Sequence, residues 1–238
     1  MTSSSLADRS VRDPPTSRTL ISMTIGELAA AAVGLTSGPG RAILGIAGVP
    51  GAGKTTLVER LLQTARQLAP CDAVAHVPMD GFHLGDAQLD RIGLRDWKGA
   101  PATFDAAGYA ATLHRIRTTT DEPVYVPGFT RELEQPLAAA LVVLPPARLV
   151  ITEGNYLLLD EPGWRSVREQ LDQVWLVTRD EQQRLEQLIQ RHIQSGKAPD
   201  AAREWVIRND EPNAHLVARS SIAADRVVVN SGDFRFLR

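Results

Sequence analysis

Nine residues, GVPGAGKTT from Gly48 to Thr56, constrain this chain more than any others. They follow an apolar run, AILGIAG from Ala42 to Gly48, and open an amphipathic stretch that reaches Leu68. Gly48, Gly51 and Gly53 let the backbone adopt conformations that a β-carbon obstructs, so successive N–H groups can converge on one anion. The helix that follows adds its positive N-terminal end. The pattern G-x-x-x-x-G-K-[ST] is met in full from Gly48 to Thr55, in the strand–loop–helix context it requires. Gly48, Val49, Pro50, Gly51, Ala52 and Gly53 form the cradle, and Thr56 follows at the helix start. Lys54 neutralises the β and γ phosphates, and Thr55 offers a hydroxyl to Mg²⁺. The expected ligand is a nucleoside triphosphate.

The rest of the chain alternates short apolar strands with helical patterns, which predicts an α/β fold: a parallel β-sheet flanked by helices. Strands are expected at Ala42–Gly48, Ala73–Met79, Arg148–Gly154, Gln173–Thr178 and Asp225–Asn230, with a weaker one around Val124. Helices are expected over Lys54–Leu68, Asp105–Arg117 and Asp180–Gln194, the last stopped by Gly196. Residues 1–20, rich in Ser, Arg, Asp and Pro, read as a disordered tail, and residues 21–238 as one domain. The apolar run after Arg18 has a signal-peptide look, but Glu27 interrupts it. Ile25, Leu28, Ala32 and Leu35 share a helical face, so an amphipathic helix capped by Thr24 beside the first strand is expected.

Charge and cysteine content narrow the function classes. With 26 basic against 28 acidic side chains, no field points toward nucleic acid or anionic lipid. No span reaches the ~18–20 apolar residues of a membrane helix. The single cysteine, Cys71, excludes an internal disulfide and fits a reducing cytoplasm.

Two acids fall at the ends of apolar runs, where open α/β sheets bind ligands. VPMDGFHL puts Asp80 after the second strand, and LVITEGNYLLL puts Glu153 at the end of a later one. A carboxylate beside a phosphate loop can accept a hydroxyl proton or hold a metal and its water. Asp80 as a turn cap and Glu153 as a salt-bridge partner are the plainer readings of each acid alone.

Taken in order, GVPGAGKTT, MDGFHL, WKGAPATFD, PGFTREL, EGNYLLL and RLEQLIQRH resemble the P-loop kinases of the phosphoribulokinase, uridine kinase and bacterial pantothenate kinase superfamily. Within it the chain is most similar to a bacterial group named nucleoside/nucleotide kinases or fructose-transport-system kinases. The resemblance spans about Gly38 to Asn230. It implies the P-loop NTPase fold with a helical lid, here about residues 184–212, and ATP and Mg²⁺ as cosubstrate and cofactor. Asp80 becomes the catalytic base and a second group at the metal, Glu153 and Thr55 the metal site, and Lys54 and Arg191 catalytic cations. The lid arginines that clamp phosphate fall on Arg184 or Arg191. The loop above the acceptor pocket makes His83, Lys98, Arg131 and Tyr156 candidates for acceptor contacts.

The expected activity is transfer of the ATP γ-phosphoryl group to a hydroxyl of a nucleoside, sugar or related metabolite. Pantothenate phosphorylation is the alternative within the class. A nucleotide-dependent switch or binding module is the alternative outside it, although neither an N-K-x-D nor an L-S-G-G-Q signature occurs. The partner is a small molecule rather than nucleic acid or membrane; the sequence leaves monomer and homodimer open.

Overall fold

The computed structural model describes residues 20–21, 23–220, 224–232 and 234–237. All but one residue of the tail read from composition, 1–20, lie outside that set, and Leu20 belongs to a short strand, β1 (Leu20–Ile21). The helix expected next, α1 (Ile25–Gly34), opens on a full capping box: Thr24 accepts from the Glu27 N–H, and Glu27 accepts from the Thr24 N–H at 2.7 Å. It buries Leu28, Ala29 and Ala32 and packs chiefly against the helix after the glycine loop.

That loop joins β2 (Ala42–Gly48) to α2 (Lys54–Leu68). Every residue of β2 is buried, as a central parallel strand covered on both faces requires. The chain continues through β3 (Val74–Pro78), α3 (Asp86–Ile92) and α4 (Ala106–Thr118) to a hairpin of β4 (Val124–Thr130) and β5 (Gln135–Val143). Then come β6 (Leu149–Gly154), α5 (Pro162–Arg168), β7 (Gln173–Arg179), α6 (Glu181–Gln194), α7 (Pro199–Trp205), α8 (Glu211–Ser220), β8 (Arg226–Asn230) and β9 (Phe234–Leu237).

The main sheet runs β1-β9-β8-β7-β2-β6-β3. Its five strands from β3 to β8 are mutually parallel, and β9 turns back antiparallel. Alternate side chains feed two cores. Ile43, Ala47, Val150 and Val174 pack with residues of α4 and α5, while Leu44, Ile46, Ile151 and Trp175 pack with α1 and α2. The chain leaves β2 toward β3 on one side and later adds β7 on the other, so the carboxyl end of β2 is the point where strand order reverses. Ligands of open α/β sheets bind there.

The β4–β5 pair forms a separate antiparallel ribbon. It packs against β3 and against the one-turn helix Met79–Phe82 at the carboxyl end of β3. Sequence gave no signal for β5, because Ala138, Ala139 and Ala140 break the β-branched alternation that marks a strand. No helix among the described residues is long and apolar enough to cross a membrane.

Candidate active site

The glycine loop is shaped by what crowds it. Gly53 caps α2 in the left-handed region, φ 93°, and a β-carbon there would collide with the Asn230 side-chain amide. Asn230 Nδ2 donates to the Ala52 carbonyl at 3.0 Å, so the end of β8 pins the loop. Gly51 also has positive φ, 80°, and the space a β-carbon would take belongs to Leu188 and the Arg184 carbonyl of α6. The loop is thus clasped between β8 and α6.

Lys54 Nζ donates to the Val49 carbonyl at 3.1 Å, which folds its ammonium back over the loop. Burial pulls its pKa down to about 8, against the attraction of Glu153 and Asp80. Thr55 Oγ1 donates to Glu153 Oε2 at 3.0 Å. Burial works to raise the Glu153 carboxyl. His76, Lys54 and the Thr55 hydroxyl outweigh it, and Glu153 is held below its ordinary value as an anion. His76 Nε2 stands 3.6 Å from Glu153 Oε1.

Register explains why the two acids meet. Pro78 of β3 pairs with Glu153 of β6, so Asp80 lies two residues beyond the strand end, near Glu153. Protein atoms crowd the Asp80 carboxyl, yet the residue as a whole is exposed. Burial first, then Glu153, raises its pKa, and Lys54, Arg131 and Arg191 oppose them. Two neighbouring carboxylates are therefore pushed apart in acidity, the arrangement that separates a proton acceptor from a permanent anion.

A cleft of about 140 Å³ opens over the loop, lined by Gly51, Gly53, Lys54, Thr55 and Thr56 on one side and by Arg131, Gln187 and Arg191 on others. The structure brings Arg191 to this cleft but removes Arg184 from it. Arg184 is buried, ion-paired to Glu181 at 2.6 Å and also to Glu211, and donates to the Pro50 carbonyl at 3.1 Å. Hydrogen bonding to Glu181 holds its guanidinium above its ordinary pKa despite burial. It braces the loop from beneath: the two arginines share a face of α6 two turns apart, and the turn of Arg184 packs on the loop while Arg191 stands at the rim.

The acceptor candidates separate in the same way. Tyr156 is fully buried, edge-on to Phe104 beside Trp164, and its hydroxyl donates to the Gly99 carbonyl at 2.5 Å. It holds the loop that carries Gly99. Lys98 Nζ is engaged by Asp86 Oδ1 at 2.6 Å and by the Glu134 carbonyl, tying that loop to the ribbon. His83 lies against Phe104 and Phe129, with ring centres at 3.9 and 5.2 Å. Burial, helped by Lys98, pulls its pKa down to about 4, so it is neutral at pH 7 with Nδ1 buried and unpartnered. Arg131 joins the phosphate side of the cleft.

Sequence reasoning missed His76, Asn230, Asp86 and Glu211. Only His76 left a signal: two residues before Pro78 on a strand, it shares the face of Pro78 and therefore of Glu153. That inference needs the β3–β6 register.

No family model matches the chain. A Schizosaccharomyces pombe protein provisionally named a uridine kinase is 32% identical over 194 residues, 79% of this chain and 83% of the relative. The chain belongs to the uridine-kinase-like P-loop kinases. An ATP-dependent kinase-like protein of Aspergillus versicolor is 31% identical over 159 residues, covering 63% of this chain and 92% of the relative. A crystal structure from a Silicibacter species, provisionally named a fructose transport system kinase, superposes with a TM-score of 0.76 at 34% identity. That match covers 86% of this chain and 98% of the other. In this P-loop kinase the parallel sheet, glycine loop and flanking helices are therefore the family's scaffold.

Proposed function

We infer that the chain is an ATP-dependent phosphotransferase that moves the γ-phosphoryl group to a hydroxyl of a small metabolite, a nucleoside or sugar in the first instance. One observation carries the reading: Asp80 and Glu153 stand at the ends of neighbouring strands beside Lys54 and Thr55, with Asp80 exposed at that edge. A water-activating switch has no need of a carboxylate raised toward neutrality at that edge, whereas an alcohol acceptor needs a base there.

The loop amides and Lys54 bind and orient the triphosphate. Thr55 and Glu153 fit a hard cation: their hydroxyl and carboxylate oxygens stand 3.0 Å apart. Among the described residues no group of three or more His, Cys, Asp or Glu side chains gathers to cage a metal. A site of few protein ligands suits Mg²⁺, which keeps waters and shares phosphate oxygens. When bound, Mg²⁺ supplies charge neutralisation across the phosphates. Asp80 accepts the proton of the attacking hydroxyl, and Arg191 faces the phosphate from the lid helix. His83 packs against Phe104 and Phe129, an aromatic cluster just beyond Asp80 that suits the acceptor side.

The test is ADP release with Mg·ATP across nucleosides, ketoses and pantothenate, with Asp80→Asn alongside. Acceptor-dependent release that drops ~10²–10⁴-fold in the variant supports the reading. Release indifferent to every acceptor and to the substitution favours the switch.

A further inference from the structure

The cleft above the glycine loop has two arginine walls. Arg191 comes from α6, and Arg131 comes from the turn between β4 and β5, on the ribbon side. Both side chains are exposed, and both line the same space as Lys54 and Thr55. The neighbouring basic residues differ. Arg184 is locked by two glutamates, and Lys98 and Arg95 are both committed to Asp86. Arg131 is the cation that the ribbon leaves facing the phosphate loop.

We propose that Arg131 is a catalytic residue, a second arginine on the transferring phosphoryl group that closes on it from the ribbon opposite Arg191. This rests on the kinase reading above and goes beyond it, since sequence had placed Arg131 among the acceptor contacts. The transferring group carries charge on three equatorial oxygens, and a guanidinium offers a planar fork that matches two of them. Lys54 from below, Arg191 from the lid and Arg131 from the ribbon approach from three elements of the fold. Their three positive charges stand against the two carboxylates Asp80 and Glu153, leaving one net positive charge to meet phosphate.

The position of Arg131 is coupled to the base. A β-carbon at Gly81, next to Asp80, would run into the Pro127 carbonyl of β4, so ribbon backbone lies directly on the turn that carries Asp80. Four residues farther along the same strand and turn is Arg131. Ribbon placement therefore sets base and cation together. Asp80 is also stabilised as an anion by Arg131, which agrees with their proximity.

The test avoids dependence on an unidentified acceptor. Calorimetric binding of Mg·ADP with aluminium fluoride, a mimic of the transferring group, is compared with Mg·AMPPNP for the wild-type chain, Arg131→Gln and Arg131→Lys. The expected result is an aluminium-fluoride-dependent affinity ~10²-fold weaker in Arg131→Gln, AMPPNP affinity changed less than about threefold, and partial recovery in Arg131→Lys. Equal losses for both ligands, or no loss for either, overturn the proposal while leaving the kinase reading intact. Failure of the wild-type chain to bind either nucleotide overturns both.

Discussion

Replacing Arg184 with methionine keeps most of the side-chain volume and removes the charge that holds the glycine loop from beneath. Three partners are affected, and their burial sets the size of the effect. Glu181 is 67% exposed and returns to water at little cost. Glu211 is 21% exposed and loses its ion-pair partner, worth ~1–2 kcal/mol. The Pro50 carbonyl loses a buried charged donor, worth ~1–2 kcal/mol. The expected loss is about 3 kcal/mol, or a melting temperature lowered by roughly 6–12 °C for a domain of this size. Urea and thermal unfolding read it directly. Mg·ATP affinity should fall too, because Pro50 is part of the cradle. Adding Glu211→Gln should restore ~1 kcal/mol, since the stranded carboxylate is then neutral. A loss below ~1 kcal/mol in the single variant would refute the bracing role. So would Mg·ATP affinity lost in full with stability unchanged, which would return Arg184 to the phosphate clamp.

Asn230→Ala removes the hydrogen bond to the Ala52 carbonyl and should cost ~1–2 kcal/mol by chemical denaturation, with weakened Mg·ATP binding in calorimetry. Lys54 has a folded pKa of about 8, below its unfolded value of 10.5, so between those values the unfolded chain binds more protons and this group's contribution to stability rises with pH. Over the same window the ammonium is lost, so triphosphate affinity should decline as pH rises past 8. Lys54→Arg should flatten that decline; an unchanged pH profile in the variant would assign it to another group. Gly81→Ala should lower acceptor-dependent turnover far more than AMPPNP affinity, because the added carbon meets the backbone of the ribbon and not the glycine loop. Equal effects on both readouts would count against that separation.

What was legible in the sequence follows the range of the interactions involved. The strand Ala42–Gly48 and the helix Lys54–Leu68 appear with the bounds expected, since their determinants are local: an apolar run, glycines, then heptad-like spacing of Leu57, Leu61 and Leu62. The acids Asp80 and Glu153 were legible because strand ends are. What was not legible is what a side chain touches after the chain has closed on itself. Arg184 and Arg191 look alike on a helical wheel seven residues apart, and only the packing of α6 on the loop makes one a buried brace and the other a rim cation. Tyr156 and Lys98 carry polar tips suited to ligands, but the Gly99 carbonyl and Asp86 take them. Asn230 reaches Ala52 across 178 residues, a distance over which no sequence pattern speaks.

The clasp on the glycine loop ties the phosphate cradle to a strand 178 residues farther along the chain. Asn230 belongs to β8, so the glycine loop reaches its final shape only once that strand has joined the sheet. Chains interrupted before β8 should therefore hold Mg·ATP more weakly than chains that include it.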